Sequence, residues 1–271
     1  MSIAGMMRYT RLYGSLSKFT LAREMAFRGN FLVKFLVEIL WLGIMLAFYA
    51  TVFGKTSTVA GWTEWQYLFF VGCFFALNGL IETLFLENCN EFAELVRTGD
   101  LDFLLLKPID EQFLVTCRRL DWATAPNVPM GGILMAVSLW KLGWEFDPLR
   151  LGAFAVTFAC GVFIAYSFML ALTSLSVWLV RNQSLMEMWW LFSSLARYPK
   201  EIFAGTWASP IGVFFTFFMP ILLVVNVPAD AMVRYLDWRM VGFTVLATVC
   251  CLWASRAFFH KAMRSYRSAS S

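Results

Sequence analysis

Apolar residues along this chain fall into blocks long enough to cross a bilayer as helices, separated by short polar stretches. A crossing of a ~30 Å hydrocarbon core takes about 20 apolar residues. Phe31–Phe53, Tyr67–Leu86, a weaker Ala123–Trp140, Leu151–Val180 and Met240–Phe259 each meet or approach that length. The run 151–180 carries no charge at all; at 1.5 Å per residue it spans ~45 Å, so it must tilt or project. Before the first block, Leu12, Leu16, Phe19, Ala22 and Ala26 recur at helical spacing among Arg8, Arg11, Lys18, Arg23 and Arg28. A basic helix with one apolar stripe is expected to lie along a membrane surface. Trp62 and Trp65 in WTEW are expected in an interfacial belt.

Between residues 181 and 238 the pattern permits two readings. In one, 182–205 is a loop and 207–227 a span. In the other, 182–204 is the fifth span, despite Glu187 and Arg197, and 207–228 folds into a re-entrant hairpin. Pro210, Pro220 and Pro228 favour the second, because each interrupts a helix and non-helical backbone needs a protein-lined site.

Composition narrows the class. Of 271 residues, 15% are charged and 18% aromatic, with mean hydropathy +0.66; soluble domains carry about 25% charged residues. The expected fold is an all-α polytopic membrane protein: six transmembrane helices and an N-terminal amphipathic interface helix (1–30), in a single domain over 1–271. No cleavable leader is expected. Six spans put both termini on one side. In the first reading the other side holds only Lys55, Lys141, Arg150, Arg234 and Arg239 of the 22 Lys and Arg; the second adds Arg197 and Lys200. Either way the termini and the segment 87–122 are predicted to be cytoplasmic.

That segment includes ELVRTGDLDFLLLKPIDEQFLVTCRRLD, Glu94–Asp121. Phe92, Leu95 and Val96 share one helix face, with Glu91, Glu94 and Arg97 beside them. Gly99 is placed to end that helix in a left-handed conformation. Asp100 is expected to cap the next apolar piece, and Asp110 to cap a second helix bearing Phe113, Leu114, Cys117 and Leu120. The acidic residues would face anionic lipid unfavourably, so a protein partner is favoured over headgroups.

The stretch ELVRTGDLDFLLLKPIDEQFLV with RRLDW, and the later ARYPKEIF and FFMPILLVVNVPA, resemble a branch of the ABC-2 type transporter permeases over essentially the whole chain. The resemblance implies six-helix subunits that pair in the membrane, each engaging a separate ATP-binding subunit. It implies a coupling helix between spans two and three, and a re-entrant feature before the last span. Carried onto this chain, the coupling element falls within 90–102, with Glu91, Glu94, Arg97, Thr98, Gly99, Asp100, Leu101 and Asp102 as its candidate residues. ATP and Mg would bind the partner subunit and no cofactor this one. The second permease could be identical or not; lipids are expected contacts and nucleic acid is not. A bacterial inner membrane and an export function are the expected setting, with cargo bearing an apolar portion.

Ionisable groups within spans are costly and therefore functional candidates. Lys34 and Glu38, four apart, are expected to pair with each other; Asn78 and Glu82 share a face one turn apart. Thr173, Ser174 and Ser176 are expected to satisfy helix contacts, and Gly72-x-x-x-Ala76 and Gly161-x-x-x-Ala165 to permit close helix approach. FGKTS at 53–57 is not a phosphate loop, because Tyr49 stands where its first Gly belongs. The single histidine, His260, excludes a histidine zinc cluster and sits in a basic tail suited to headgroups. The six cysteines form no C-x-x-C pair and are expected to be reduced packing residues. Two other readings stay open: a lipid-modifying enzyme using Glu38 and Glu82 as acid and base, and a membrane scaffold recruiting a partner other than an ATPase.

Overall fold

The structure, a computed structural model, describes residues 3–179, 182–204, 209–218 and 220–266. Gly205 and Trp207, on which the two readings of the fifth span turn, lie outside the described residues, as do Arg181, Met219 and Arg267. Helices α1 (Ile3–Ala26) and α2 (Arg28–Phe53) are followed by a two-residue hairpin, β1 (Thr58–Val59) and β2 (Trp62–Thr63). Next, α3 (Glu64–Ile81) runs through a π-helical turn, Glu82–Leu86, into α4 (Glu87–Thr98). Short helices α5 (Leu101–Leu105) and α6 (Glu111–Cys117) precede α7 (Asn127–Lys141) and α8 (Pro148–Leu179). Beyond them come α9 (Asn182–Ala196), a 3-10 turn at Lys200–Ala204, and α10 (Ser209–Val213) with a π turn at Phe214–Phe218. Finally, α11 (Ile221–Val233) leads to α12 (Trp238–Ser265).

Four of these are long and apolar enough to cross a membrane: α2, the continuous α3–α4, α8 and α12. The expected third and fifth spans form helices of 15 residues each, α7 and α9; at 1.5 Å per residue each extends only ~22 Å. Pro126 and Pro129 explain the late start of α7: Pro126 occupies the N-cap and Pro129 the first turn, where a missing N–H costs nothing. α11, 13 residues with Pro228 inside, is buried along nearly its whole length.

Glycines set the closest helix contacts. A Cβ on Gly131 of α7 would stand 2.5 Å from the Gly72 carbonyl oxygen and 2.6 Å from the Ala76 nitrogen, so α3 and α7 touch backbone to backbone. A Cβ on Gly161 of α8 would meet the Val224 carbonyl of α11 at 2.6 Å. Both small-residue motifs therefore mark real contacts, in an environment where dispersion and close approach hold helices together. Ser174 and Ser176 are buried and donate to the carbonyls of Leu170 and Thr173 at 2.6 Å. Cys73, Cys89 and Cys160 are buried, as packing residues should be, while Cys250 is exposed.

α2 stands apart from this packing. Met45 and Tyr49 are its buried residues, and Leu36, Leu40, Ile44 and Phe48 are exposed. One end of the bundle, the basic end, gathers α1, α4–α6 and the C-terminal part of α12 and is rich in arginine. There Phe92, Val96, Leu101 and Leu104 form one core with Leu170 and Phe259, rooting α4 and α5 on α8 and α12. Side chains of this size contribute about 1.5–3 kcal/mol each when withdrawn from water.

The opposite end corrects one expectation. Trp62 is not in an interfacial belt: it is 0% exposed. Its Nε1 donates to Glu201 Oε2 at 3.1 Å, and the Arg234 guanidinium lies 4.5 Å from its ring centroid. Arg234 also bonds Glu201 at 2.7 Å and Asp230 at 3.3 Å, and Lys200 bonds Asp230 at 2.7 Å. Burying this many charges is tolerable because each has an opposite partner.

Candidate functional site

Two neighbouring features hold the predicted site residues. The first is an elbow at the basic end. α4 carries its apolar face inward, and Gly99 ends it at φ +80°, ψ 1°, the left-handed conformation. The next turn starts at once, because the Asp102 N–H donates to the Gly99 carbonyl at 3.1 Å. Asp100 does not cap α5. Its own backbone is helical, and its carboxylate instead accepts from the Thr98 hydroxyl at 2.9 Å, so no side chain caps α5 there. Asp110 does cap α6, accepting from the Phe113 N–H at 3.0 Å. Leu120 falls beyond the end of α6 and is buried.

Burial sorts the predicted residues into two groups. Leu101 is core. Glu91 faces inward and takes ion pairs from both Arg118 and Arg119. Glu94 and Arg97 pair with each other on the exposed side, beside exposed Thr98 and Asp100. Next to them stand two residues that the sequence pattern did not single out, Phe103 and Leu106, 69% and 81% exposed. Their signal was available: four consecutive apolar residues, Phe103–Leu106, inside a charged stretch cannot all face one core.

The elbow is tied to its surroundings by polar contacts. Asn88 on α4 is buried and clamps the loop before α7: its Oδ1 accepts from the Arg119 N–H at 2.8 Å and its Nδ2 donates to the Arg119 carbonyl at 2.7 Å. α1 straps across the elbow, touching the start of α4, the N-cap of α6 and the loop before α7. The Tyr9 hydroxyl accepts from the Asp110 N–H at 2.9 Å, Glu24 accepts from the Trp122 N–H at 3.0 Å, and Arg23 pairs with Glu87 at 3.3 Å. Burial pushes the Glu24 carboxyl above its ordinary range, the Trp122 bond opposing and the Asp121 charge adding to the rise.

The second feature is an open cavity of about 740 Å³ between α2, α3, the π turn and start of α4, α9 and the approach to α7. Lys34, Glu38, Asn78 and Glu82, the four intramembrane candidates, all line it. The expected Lys34–Glu38 pair does not form. Lys34 reaches Asp121 at 3.5 Å, and Glu38 Oε2 accepts from Asn127 Nδ2 at 2.9 Å. Both partners come from the loop and first turn leading into α7, which offers better-placed groups than the next turn of α2. The apolar part of the wall includes Trp41, Ile44, Phe74, Phe75 and Trp190. Arg197 enters between Trp41 and Phe74, 5.6 and 5.5 Å from their ring centroids. Glu82 opens the π turn that joins α3 to α4, so the elbow and the cavity wall share one continuous helix. Such turns break the i→i−4 ladder and recur at functional sites.

Among curated proteins and among solved structures, no match to this chain is found. The family described as ABC-2 family transporter protein does match, over residues 39–270. That match runs from the middle of α2 to beyond the end of α12, so this multi-pass membrane protein belongs to the ABC-2 family transporter proteins, as a permease.

Proposed function

We propose that this permease is the membrane subunit of an ATP-driven exporter, with ATP and Mg bound by a separate ATP-binding subunit that docks on the elbow between α4 and α5. In this reading α2, α3, α7, α8, α9 and α12 are the six spans, 207–228 contributes a re-entrant element, α1 lies at the inner interface, and both termini are cytoplasmic in a bacterial inner membrane. A second permease, identical or not, covers the exposed face of α2.

The observation that carries the reading is the division of the elbow into an exposed and a rooted side. Glu94, Arg97, Phe103 and Leu106 face outward, giving a charged and apolar surface of the kind that fills a groove on a partner. Phe92, Leu101 and Leu104 anchor the same elbow to α8 and α12. A force on the outer side is therefore transmitted to the bundle rather than absorbed by a loose loop. The shortest route runs along α4, through the π turn, to Asn78 and Glu82 in the cavity wall. Closure of two ATP-binding subunits would draw the elbows with them and reshape the cavity.

The test is co-purification. Phe103→Asp with Leu106→Asp alters only exposed side chains, so membrane yield should match the wild type while the ATP-binding subunit is lost from the complex. Retention of the subunit at wild-type stoichiometry would remove the elbow from the docking surface.

A further inference from the structure

Around Glu38, Glu82 and Asn127 the cavity wall carries more acceptor oxygens than the described residues supply donors for. Four carboxylates line it. Two are matched: Asp121 by Lys34 at 3.5 Å, and Glu87 by Arg23 at 3.3 Å and Arg119 at 3.9 Å. Two are not. Glu38 holds a neutral carboxamide, Asn127 Nδ2, and Glu82 forms no ion pair within 4 Å among the described residues. Asn127 adds an independent observation. It is 4% exposed, lines the cavity, and its Oδ1 is buried with no hydrogen-bond donor among the described residues. Its donation to Glu38 fixes which end of the amide is oxygen, since the flipped amide would set two acceptors against each other. A buried acceptor left unpaired is costly, so an unmatched Oδ1 beside two unmatched carboxylates marks a place that lacks a donor.

We infer that this cavity binds the cargo as an organic cation with N–H donors, a primary amine or a guanidine, its head at Glu38, Glu82 and Asn127 Oδ1 and its apolar body along Trp41, Phe74 and Trp190. The wall supports each half of that ligand. A primary ammonium presents three donors and a guanidinium five, enough for two carboxylates and an amide oxygen. The rings accept an apolar or aromatic body, and a volume of about 740 Å³ is within the range of small-molecule sites. Arg197, the remaining cation on the wall among the described residues, faces the rings of Trp41 and Phe74, with its Nε buried and meeting no acceptor there. It would bias against a second cationic centre at that end of the ligand. The inference deepens the transport reading by naming a class of cargo, and rests on that reading only for the word cargo.

The test is equilibrium binding to the full chain in nanodiscs, without ATP or any ATP-binding subunit, so that its outcome and that of the docking proposal are separable. The probe is dansylcadaverine, an aromatic body with a primary ammonium, compared with its N-acetyl, N-trimethyl and carboxylate analogues. The amine is expected to bind saturably. Each analogue should bind at least about tenfold more weakly, the loss expected from removing charge-assisted hydrogen bonds. Glu82→Gln and Glu38→Gln should each weaken the amine at least about tenfold and leave the N-acetyl form unchanged. Glu87→Gln removes a like charge from the same wall but one already paired, and should change affinity less than threefold. Equal binding by any analogue, indifference to both the Glu38 and Glu82 substitutions, or an equal effect of Glu87→Gln overturns the inference. Using two separate carboxylates keeps the test decisive if one variant fails to insert.

Discussion

Replacing Gly99 with valine isolates the elbow from the rest of the molecule. Gly99 sits at φ +80°, a region that costs an L-residue about 1–2 kcal/mol and makes a β-branched residue a true outlier. Relief requires the chain to leave the left-handed region. That would break the Asp102 N–H to Gly99 carbonyl bond at 3.1 Å and the Thr98–Asp100 contact at 2.9 Å. With strain of about 2–3 kcal/mol, the elbow's preference for its native angle falls by roughly 30–150-fold. The bundle should survive, because Phe92, Val96 and Leu104 remain on their side of the core. The assay is reconstitution with the ATP-binding subunit, measuring ATP hydrolysed and cargo moved in the same vesicles. Gly99→Val should hydrolyse ATP while moving at least about tenfold less cargo per ATP. Gly99→Asn, which tolerates the left-handed region, should stay within about threefold of wild type. Unchanged cargo per ATP in the valine variant would refute the claim that the elbow's angle carries the coupling.

Three further outcomes are expected. Gly131→Ala places a Cβ 2.5 Å from the Gly72 carbonyl oxygen and should destabilise by about 1–3 kcal/mol; Gly132→Ala next to it meets nothing within 4 Å and should be near neutral, so thermal melts of the pair read the α3–α7 contact directly. Asp230→Ala deprives Lys200 of a carboxylate that is only 6% exposed in the native protein, and should cost about 3–5 kcal/mol; a loss below about 1 kcal/mol would show that the cluster around Trp62 is not a buried network. The raised Glu24 carboxyl contributes stability that is fully present below its unfolded value, about 4.3, and is lost as pH rises through the higher folded value. Melting of wild type minus Glu24→Gln should therefore decline over that interval and be flat above it.

What could be read from the sequence was what depends on neighbours in the chain. The turn at Gly99, the cap at Asp110, the inward face of Phe92 and Val96, and the close approach at Gly72 and Gly161 reflect local stereochemistry and spacing. What escaped depends on chain segments far away. Lys34 and Glu38 are one helical turn apart, yet their partners Asp121 and Asn127 lie 87 and 89 residues onward. Trp62 looked interfacial because aromatic residues near a span end usually are. Its burial required Glu201 and Arg234, which return from the far end of the chain. The cavity was legible only in part: its four intramembrane polar residues stood out, but Asn127 did not, since no periodicity marks an amide whose oxygen is left unpaired. The weak third block and the charged fifth did become helices, but short ones, because their flanking prolines and loops take up part of the apolar run.

Docking at the elbow requires that residues 94–106 face the cell interior and are covered there by an ATP-binding subunit. Single cysteines at Arg97 and Leu106, in a chain freed of its six native cysteines, can be tested with a membrane-impermeant maleimide in right-side-out and inverted vesicles. Labelling is expected only in inverted vesicles, with protection when the purified ATP-binding subunit is added. Labelling in right-side-out vesicles, or full labelling in the presence of the bound subunit, would contradict docking at the elbow.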